Sequence, residues 1–207
     1  MRGPLPRLHA ITDERIARRV PSEIATTARA LADGGGSDLA FHARGRALTG
    51  REHYDLSVQL SRLPSFLFVN DRLDIALAVP AAGVQLGSSS LPVSAARAMN
   101  PRWWIGKSVH DLAGAEAAVA GGADYLVVGP VYPTTTHPNR KALGLEQLRK
   151  IVQRSGDVPV IAIGGVTPDR VRELTTSGAY GVAAIRALWD AAEPEQSVRR
   201  MREELSE

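Results

Sequence analysis

The chain predicts a (β/α)8 TIM barrel folded as a single compact domain, residues 1–207, and three observations carry that expectation. Eight β-like stretches alternate with helix-like stretches and no long linker interrupts them. Several of the β-like stretches are continuous apolar runs instead of alternating ones, as parallel strands covered on both faces should be. The first of them runs into "ITDERIARR" with no glycine, whereas an open doubly wound sheet usually carries a Gly-rich fingerprint there.

The strands are expected in "RLHAIT" (7–12), "SDLAFH" (37–42), "SFLFV" (65–69) and "GVQL" (83–86). "WWIGKSV" (103–109), "DYLVVG" (124–129), "VPVIAIG" (158–164) and "YGVAAI" (180–185) complete the set. Between them, "SEIATTARALADGGG" reads as a helix with Ser22 as N-cap and Gly34 as C-cap. "DLAGAEAAVAGG" repeats the pattern from Asp111 to Gly121, and "TPDRVRELTTSG" from Thr167 to Gly178. Trp103 and Trp104 fall in a strand, so at least one should fill the core.

Composition bounds the function. The 207 residues are 44% hydrophobic, enough for one core, and contain no cysteine, which fits a reducing compartment. The longest apolar run, "IALAVPAAGV", is far short of the roughly 20 residues that span a bilayer. The first twenty residues are too charged for a signal peptide, so a soluble, cytoplasmic chain without a membrane partner is expected. Net charge is +3, and no basic run is interleaved with aromatics, so no nucleic-acid partner is expected. The oligomeric state is left open, a homo-oligomer included.

In such a barrel, ligands meet the carboxyl ends of the strands, and phosphates often sit beyond strands seven and eight. "AIGG" ends the seventh, where Gly164 and Gly165 can adopt positive φ and admit a ligand close to the backbone. Thr167, Pro168 and Asp169 follow as a helix start. Past the eighth strand, Ile185 and Arg186 add a second helix start and a guanidinium. Together they make a phosphate site, or else the glycines only let strand and helix pack closely.

Several of these strand ends, taken jointly, resemble the family of thiamine phosphate synthases and TenI-type thiazole tautomerases. They are "LHAITD" (8–13), "FVNDRLDIALAV" (68–79), "GVQLG" (83–87), "IGKSVH" (105–110), "GADYLVVGPVYPTTT" (122–136), "VPVIAIGGVTPDRV" (158–171) and "GVAAI" (181–185). The resemblance implies a barrel of thiamine biosynthesis whose partner is a small phosphorylated thiazole. It implies that Thr134, Thr136 and Gly165 hold the thiazole phosphate. It also implies that Asn70 and Ser108 contact a pyrimidine diphosphate, and that Asp71 is a metal ligand if the chain is synthase-like.

The departures from the synthase pattern are specific. Ser88, Ser89 and Ser90 stand where synthases carry an acidic residue, so a second metal carboxylate is missing. "HARGR" replaces the synthase "QLREK", keeping Arg44 and putting Arg46 in the lysine's place, and His137 replaces the lysine of "TKP". A lone carboxylate and three serines hold Mg²⁺ poorly, although Mg²⁺ can bind through one or two carboxylates plus phosphates. "LHAITD", "GVQL" and "SVH" look closer to the tautomerase branch, whose metal-independent proton transfer requires no cofactor.

The expected activity is therefore a TenI-type thiazole tautomerase, with His42 or His137 carrying the proton at the barrel mouth. Each histidine has an equally ordinary structural reading, at a strand end and in a solvated loop. The alternatives are a Mg²⁺-dependent thiamine phosphate synthase and a non-catalytic phosphate-ligand-binding protein. His110 reads as a helix start in preference to a catalyst, His9 as a core or lower-barrel residue and His53 as a helix-surface residue. Asp71 reads equally as N-cap of the "RLDIALAV" helix, and Arg44 and Arg46 as anion ligands or a solvated loop.

Overall fold

The computed structural model describes residues 3–134 and 141–206. Its strands are β1 (Leu8–Ile11), β2 (Leu39–Ala43), β3 (Phe66–Asn70), β4 (Gly83–Leu86), β5 (Trp104–Val109), β6 (Tyr125–Val128), β7 (Val160–Ile163) and β8 (Gly181–Ala184). Each pairs in parallel with the next, and β1 pairs with β8, so the sheet closes into the expected barrel. Helices α1 (Glu14–Ala17), α2 (Pro21–Gly35), α3 (Gly50–Ser61), α4 (Leu73–Ala78) and α5 (Val93–Met99) follow the first four strands. Helices α6 (Leu112–Ala120), α7 (Gly144–Ser155), α8 (Val171–Thr176), α9 (Arg186–Trp189) and α10 (Pro194–Ser206) follow the others.

The apolar runs do what continuous burial requires. On β1, Leu8 and Ala10 join the layer between sheet and helices, while Ile11 joins a separate cluster inside the barrel. The same split places Leu39 and Phe41 outward on β2 with Ala40 inward, and Leu126 outward on β6 with Tyr125 and Val127 inward. Trp103 is buried in the outer layer, and Trp104 packs against the inner one. Large interior rings need small neighbours. A Cβ at Gly106 would stand 2.2 Å from Tyr125 Cζ, so only glycine lets the phenol cross the barrel.

Helix ends follow local chemistry. Thr49 and Glu52 close a reciprocal capping box on α3, and the Asp111 side chain caps α6, which ends at Gly121 as expected. Two starts differ from the sequence reading. α2 is entered through Val20 with Pro21 in its first turn, not capped by Ser22, and it runs on to Gly35. After Thr167 a 3₁₀ turn, Pro168–Arg170, precedes α8, and the Thr167 side chain caps nothing. The last helix returns to the first long one, where Arg202 Nη1 donates to Gly34 O at 2.9 Å. Among the described residues no helix is long and apolar enough to cross a membrane.

Candidate active site

A cavity of about 1280 Å³ opens at the carboxyl ends of the strands. Its floor is polar: Asn70, Gln85 and Ser108 reach it from the tips of β3, β4 and β5. Gln85 Nε2 donates to Ser108 Oγ at 2.9 Å, which fixes both side chains.

One wall is basic. Arg44 and Arg46 follow β2, with Arg44 half-buried and Arg46 exposed. Their loop is tied down from β1 and α1. The Thr12 hydroxyl accepts from the Arg44 N–H at 2.8 Å, and the Glu14 carboxylate accepts from the N–H groups of Arg46 and Ala47. Burial first, and then the like charge of Arg46, draw the Arg44 pKa below the ordinary guanidinium range. Two held cations that repel each other are disposed to accept an anion with more than one charge.

Beside them, Asp71 follows β3 with φ of 63°, the left-handed conformation that aspartate tolerates better than most residues. It is not the N-cap of α4, a place taken by Arg72. Instead its Oδ1 accepts from the Gly87 N–H at 2.9 Å and from the Ser90 hydroxyl. The serine stretch and Asp71 thus form one unit, and Lys107 Nζ adds a bond to Gly87 O at 2.6 Å. Among the described residues no group of three or more His, Cys, Asp or Glu side chains could hold a metal. This donor set does not enclose an ion by itself. It would fit Mg²⁺ only where a bound phosphate group supplied further oxygens, since Mg²⁺ commonly takes one or two carboxylates and completes its shell with phosphate and water.

The opposite wall is built on β7 and β8. Gly164 and Gly165 line the cavity with φ of 98° and 66°, so both occupy conformations that side chains avoid. The strap after β6 crosses them: Tyr132 N–H donates to Gly164 O at 3.0 Å. Arg170 Nη1 donates to Gly165 O at 2.6 Å while its guanidinium lies 4.4 Å from the Tyr132 ring centre. Thr134, Ile185 and the exposed Arg186 also line this side. Thr136 and His137 lie outside the described residues.

His42 is where the sequence reading and the structure part. It was expected at the mouth, yet it is fully buried below the cavity and does not line it. The register explains this: His42 sits level with Ile11 and Phe68, one step beneath Asn70. Its ring stacks on Phe68 at 5.1 Å between centroids, and its Nδ1 lies 3.1 Å from Asn70 Oδ1. Below it, His9 Nδ1 is 2.8 Å from His42 Nε2, and His9 Nε2 is 2.9 Å from Pro6 O. Burial lowers both imidazoles, His9 to about 4, so both are neutral at pH 7.

His53 is a second correction. It is buried instead of lying on the surface of α3, with Nε2 2.9 Å from Ala43 O. The sequence reading passed over Arg170 as a cavity residue and favoured a helix start over a catalytic place for His110. His110 is exposed and lines the cavity, and its Nδ1 lies 2.6 Å from Gly129 O, so that nitrogen donates to the carbonyl. Its position directly after β5 was the available signal.

Comparison with known proteins agrees with this geometry. The family model described as thiamine monophosphate synthase matches residues 8–188. The chain is 41% identical over 209 residues to a thiamine-phosphate synthase of Salinispora tropica, covering 98% of each chain. It is 40% identical over 203 residues to the thiamine-phosphate synthase of Pyrococcus furiosus, covering 96% of this chain and 92% of that one. The solved structure of a thiamine phosphate pyrophosphorylase from Pyrococcus furiosus superposes with a TM-score of 0.83 at 35% identity, over 97% of this chain and 95% of that one. The 3-hexulose-6-phosphate synthase of Salmonella typhimurium, with a TM-score of 0.77 at 15% identity over 97% and 98%, shares the fold alone. A family match that begins at β1 and ends in α9, on relatives alike over their whole length, carries one conclusion: the chain belongs to the thiamine monophosphate synthase family of enzymes.

Proposed function

We propose that this protein is a thiamine phosphate synthase. It joins a hydroxymethylpyrimidine diphosphate to a thiazole phosphate and releases pyrophosphate. The observation that carries the reading is a single cavity with two separate places for anions. Arg44 and Arg46 form one, and the Gly164–Gly165 tip with Arg186 forms the other. At about 1280 Å³ the cavity exceeds the roughly 300–1,000 Å³ typical of a site for one drug-sized ligand. A tautomerase needs one phosphate place; a coupling enzyme needs two.

The diphosphate lies against Arg44 and Arg46, whose planar guanidiniums bind phosphate oxygens in pairs. The bond between the pyrimidine methylene carbon and its diphosphate oxygen breaks, and the electron pair leaves with pyrophosphate. The cationic carbon is met by the lone pair of the thiazole nitrogen, forming the new C–N bond. The two arginines stabilise charge that develops on the departing oxygen, while the glycine tip and Arg186 hold the thiazole by its phosphate at the correct distance. Asp71, assisted by the Ser90 hydroxyl bound to it, would hold Mg²⁺ against the diphosphate. When bound, that ion supplies additional positive charge to the leaving group.

Formation of thiamine phosphate from both substrates with saturating Mg²⁺ tests the proposal, and no product above the protein-free control rejects it. One observation favours the tautomerase as a second reading. The His110 imidazole lines the cavity, oriented by its Nδ1 contact with Gly129 O at 2.6 Å. Aromatisation of the alkylidene thiazole phosphate at a rate that collapses in His110→Ala would establish it instead.

A further inference from the structure

The barrel interior contains a line of polar groups that the proposed reaction does not use. It runs from Pro6 O at the floor through His9 and His42 to Asn70 under the cavity, with contacts of 2.9, 2.8 and 3.1 Å. Every ring nitrogen on this line has one neighbour, so the proton positions follow from one end. A carbonyl only accepts, so His9 Nε2 carries its proton toward Pro6 O. His9 is neutral, which makes its Nδ1 an acceptor, so His42 Nε2 must be the donor to it. His42 is neutral too, which leaves its Nδ1 as a lone pair aimed at the Asn70 carboxamide.

The structure sets Asn70 Oδ1 there, 3.1 Å from His42 Nδ1, so that two lone pairs face each other. The oxygen and nitrogen ends of a carboxamide are assigned from the partners they can satisfy. Exchanging the two ends lets the Asn70 NH₂ donate down to His42 and turns the side-chain oxygen up into the cavity. The reverse direction would need a doubly protonated His9 to face both Pro6 O and His42. No carboxylate compensates such a cation: burial is the dominant influence on both rings, and no acidic side chain acts on either. Phe68 and Tyr125 pack around the pair and add no ionised group at pH 7.

We propose that the floor carbonyl of Pro6, acting through His9 and His42 as positioning residues, fixes Asn70 with its oxygen toward the cavity, where it selects a hydrogen-bond donor on the ligand. Such an oxygen repels phosphate, so Asn70 reads an N–H group and not the diphosphate. Identifying that group as the exocyclic amine of the aminopyrimidine rests on the synthase reading; the orientation of Asn70 does not.

Two measurements test the two halves separately. Long-range ¹H–¹⁵N NMR on the labelled, ligand-free protein at pH 7 should show His9 and His42 each as the Nε2–H tautomer. An Nδ1–H signal from either ring, or a doubly protonated ring, overturns the orientation whatever the enzyme catalyses. Calorimetry then compares aminopyrimidine diphosphate with an analogue whose amine is replaced by hydrogen. The analogue should bind roughly three- to tenfold more weakly to the native protein, and the difference should vanish in Asn70→Ala. An equal loss in both proteins overturns the assignment of the donor. Absence of pyrimidine binding with both Nε2–H tautomers present would overturn the synthase reading and that assignment, and leave the orientation standing.

Discussion

Arg44 and His9 show opposite uses of burial. Half-buried and crowded by Arg46, Arg44 keeps its charge because guanidinium gives up its proton so reluctantly. Its backbone is held by the bond to Thr12, so the side chain departs from a fixed point at the cavity wall. Arg44→Ala should lower kcat/KM for coupling at least a hundredfold. Arg44→Lys should recover only part of it, since a single ammonium cannot match two phosphate oxygens; initial rates at matched Mg²⁺ check both. His9 is buried neutral. Its folded pKa of about 4 lies below the unfolded value near 6.5, so the unfolded chain takes up the proton first as pH falls. Stability is complete above pH 6.5 and declines toward pH 4, by roughly 3 kcal/mol at 1.36 kcal/mol per pH unit. His42 acts in the same direction. Urea unfolding across that range should show the decline, and His9→Phe should flatten it.

At the level of single elements, the tip of β7 carries the sharpest constraint. Gly165 has φ of 66°, and a Cβ there would lie 2.7 Å from Tyr132 Cβ and 2.9 Å from Pro133 O. Gly165→Ala should therefore displace the strap after β6 and cost about 1–2 kcal/mol in backbone strain alone. The KM for the thiazole phosphate should rise more than that for the pyrimidine, a split that steady-state kinetics resolves. All eight strands were legible in the sequence because they recur between helix-like stretches, and β3, β6, β7 and β8 are largely apolar runs that can be covered on both sides. Helix starts were less so. At Pro21 and Pro168 the fixed φ of proline set the entry, and the neighbouring Ser22 and Thr167 hydroxyls were not needed as caps. The place of His42 could not be read at all. Depth inside a barrel depends on the stagger between strands, which pairs Ile11 with His42 and His42 with Phe68, and no single strand encodes that.

Across the whole molecule, cavity residues come from nearly every strand tip, so ligand binding should stabilise the fold as a unit. Inorganic pyrophosphate should raise the melting temperature of the native protein, by the equivalent of about 2.7 kcal/mol at a concentration of 100 Kd. It should do little for the Arg44→Ala, Arg46→Ala double variant, and scanning calorimetry distinguishes the two. The general location of the site was legible from the barrel alone, because loops at the carboxyl ends of the strands converge there. The tie between Asp71 and Ser90 was not, since the two lie on different loops and meet only when β3 and β4 pair. One feature of the interior also governs traffic. Phe68, Tyr125 and the paired imidazoles fill the barrel beneath the cavity, so among the described residues no passage runs down its axis. Ligands then come and go by way of the strand tips, and pyrophosphate lingering at the arginine wall should compete directly with the next incoming pyrimidine.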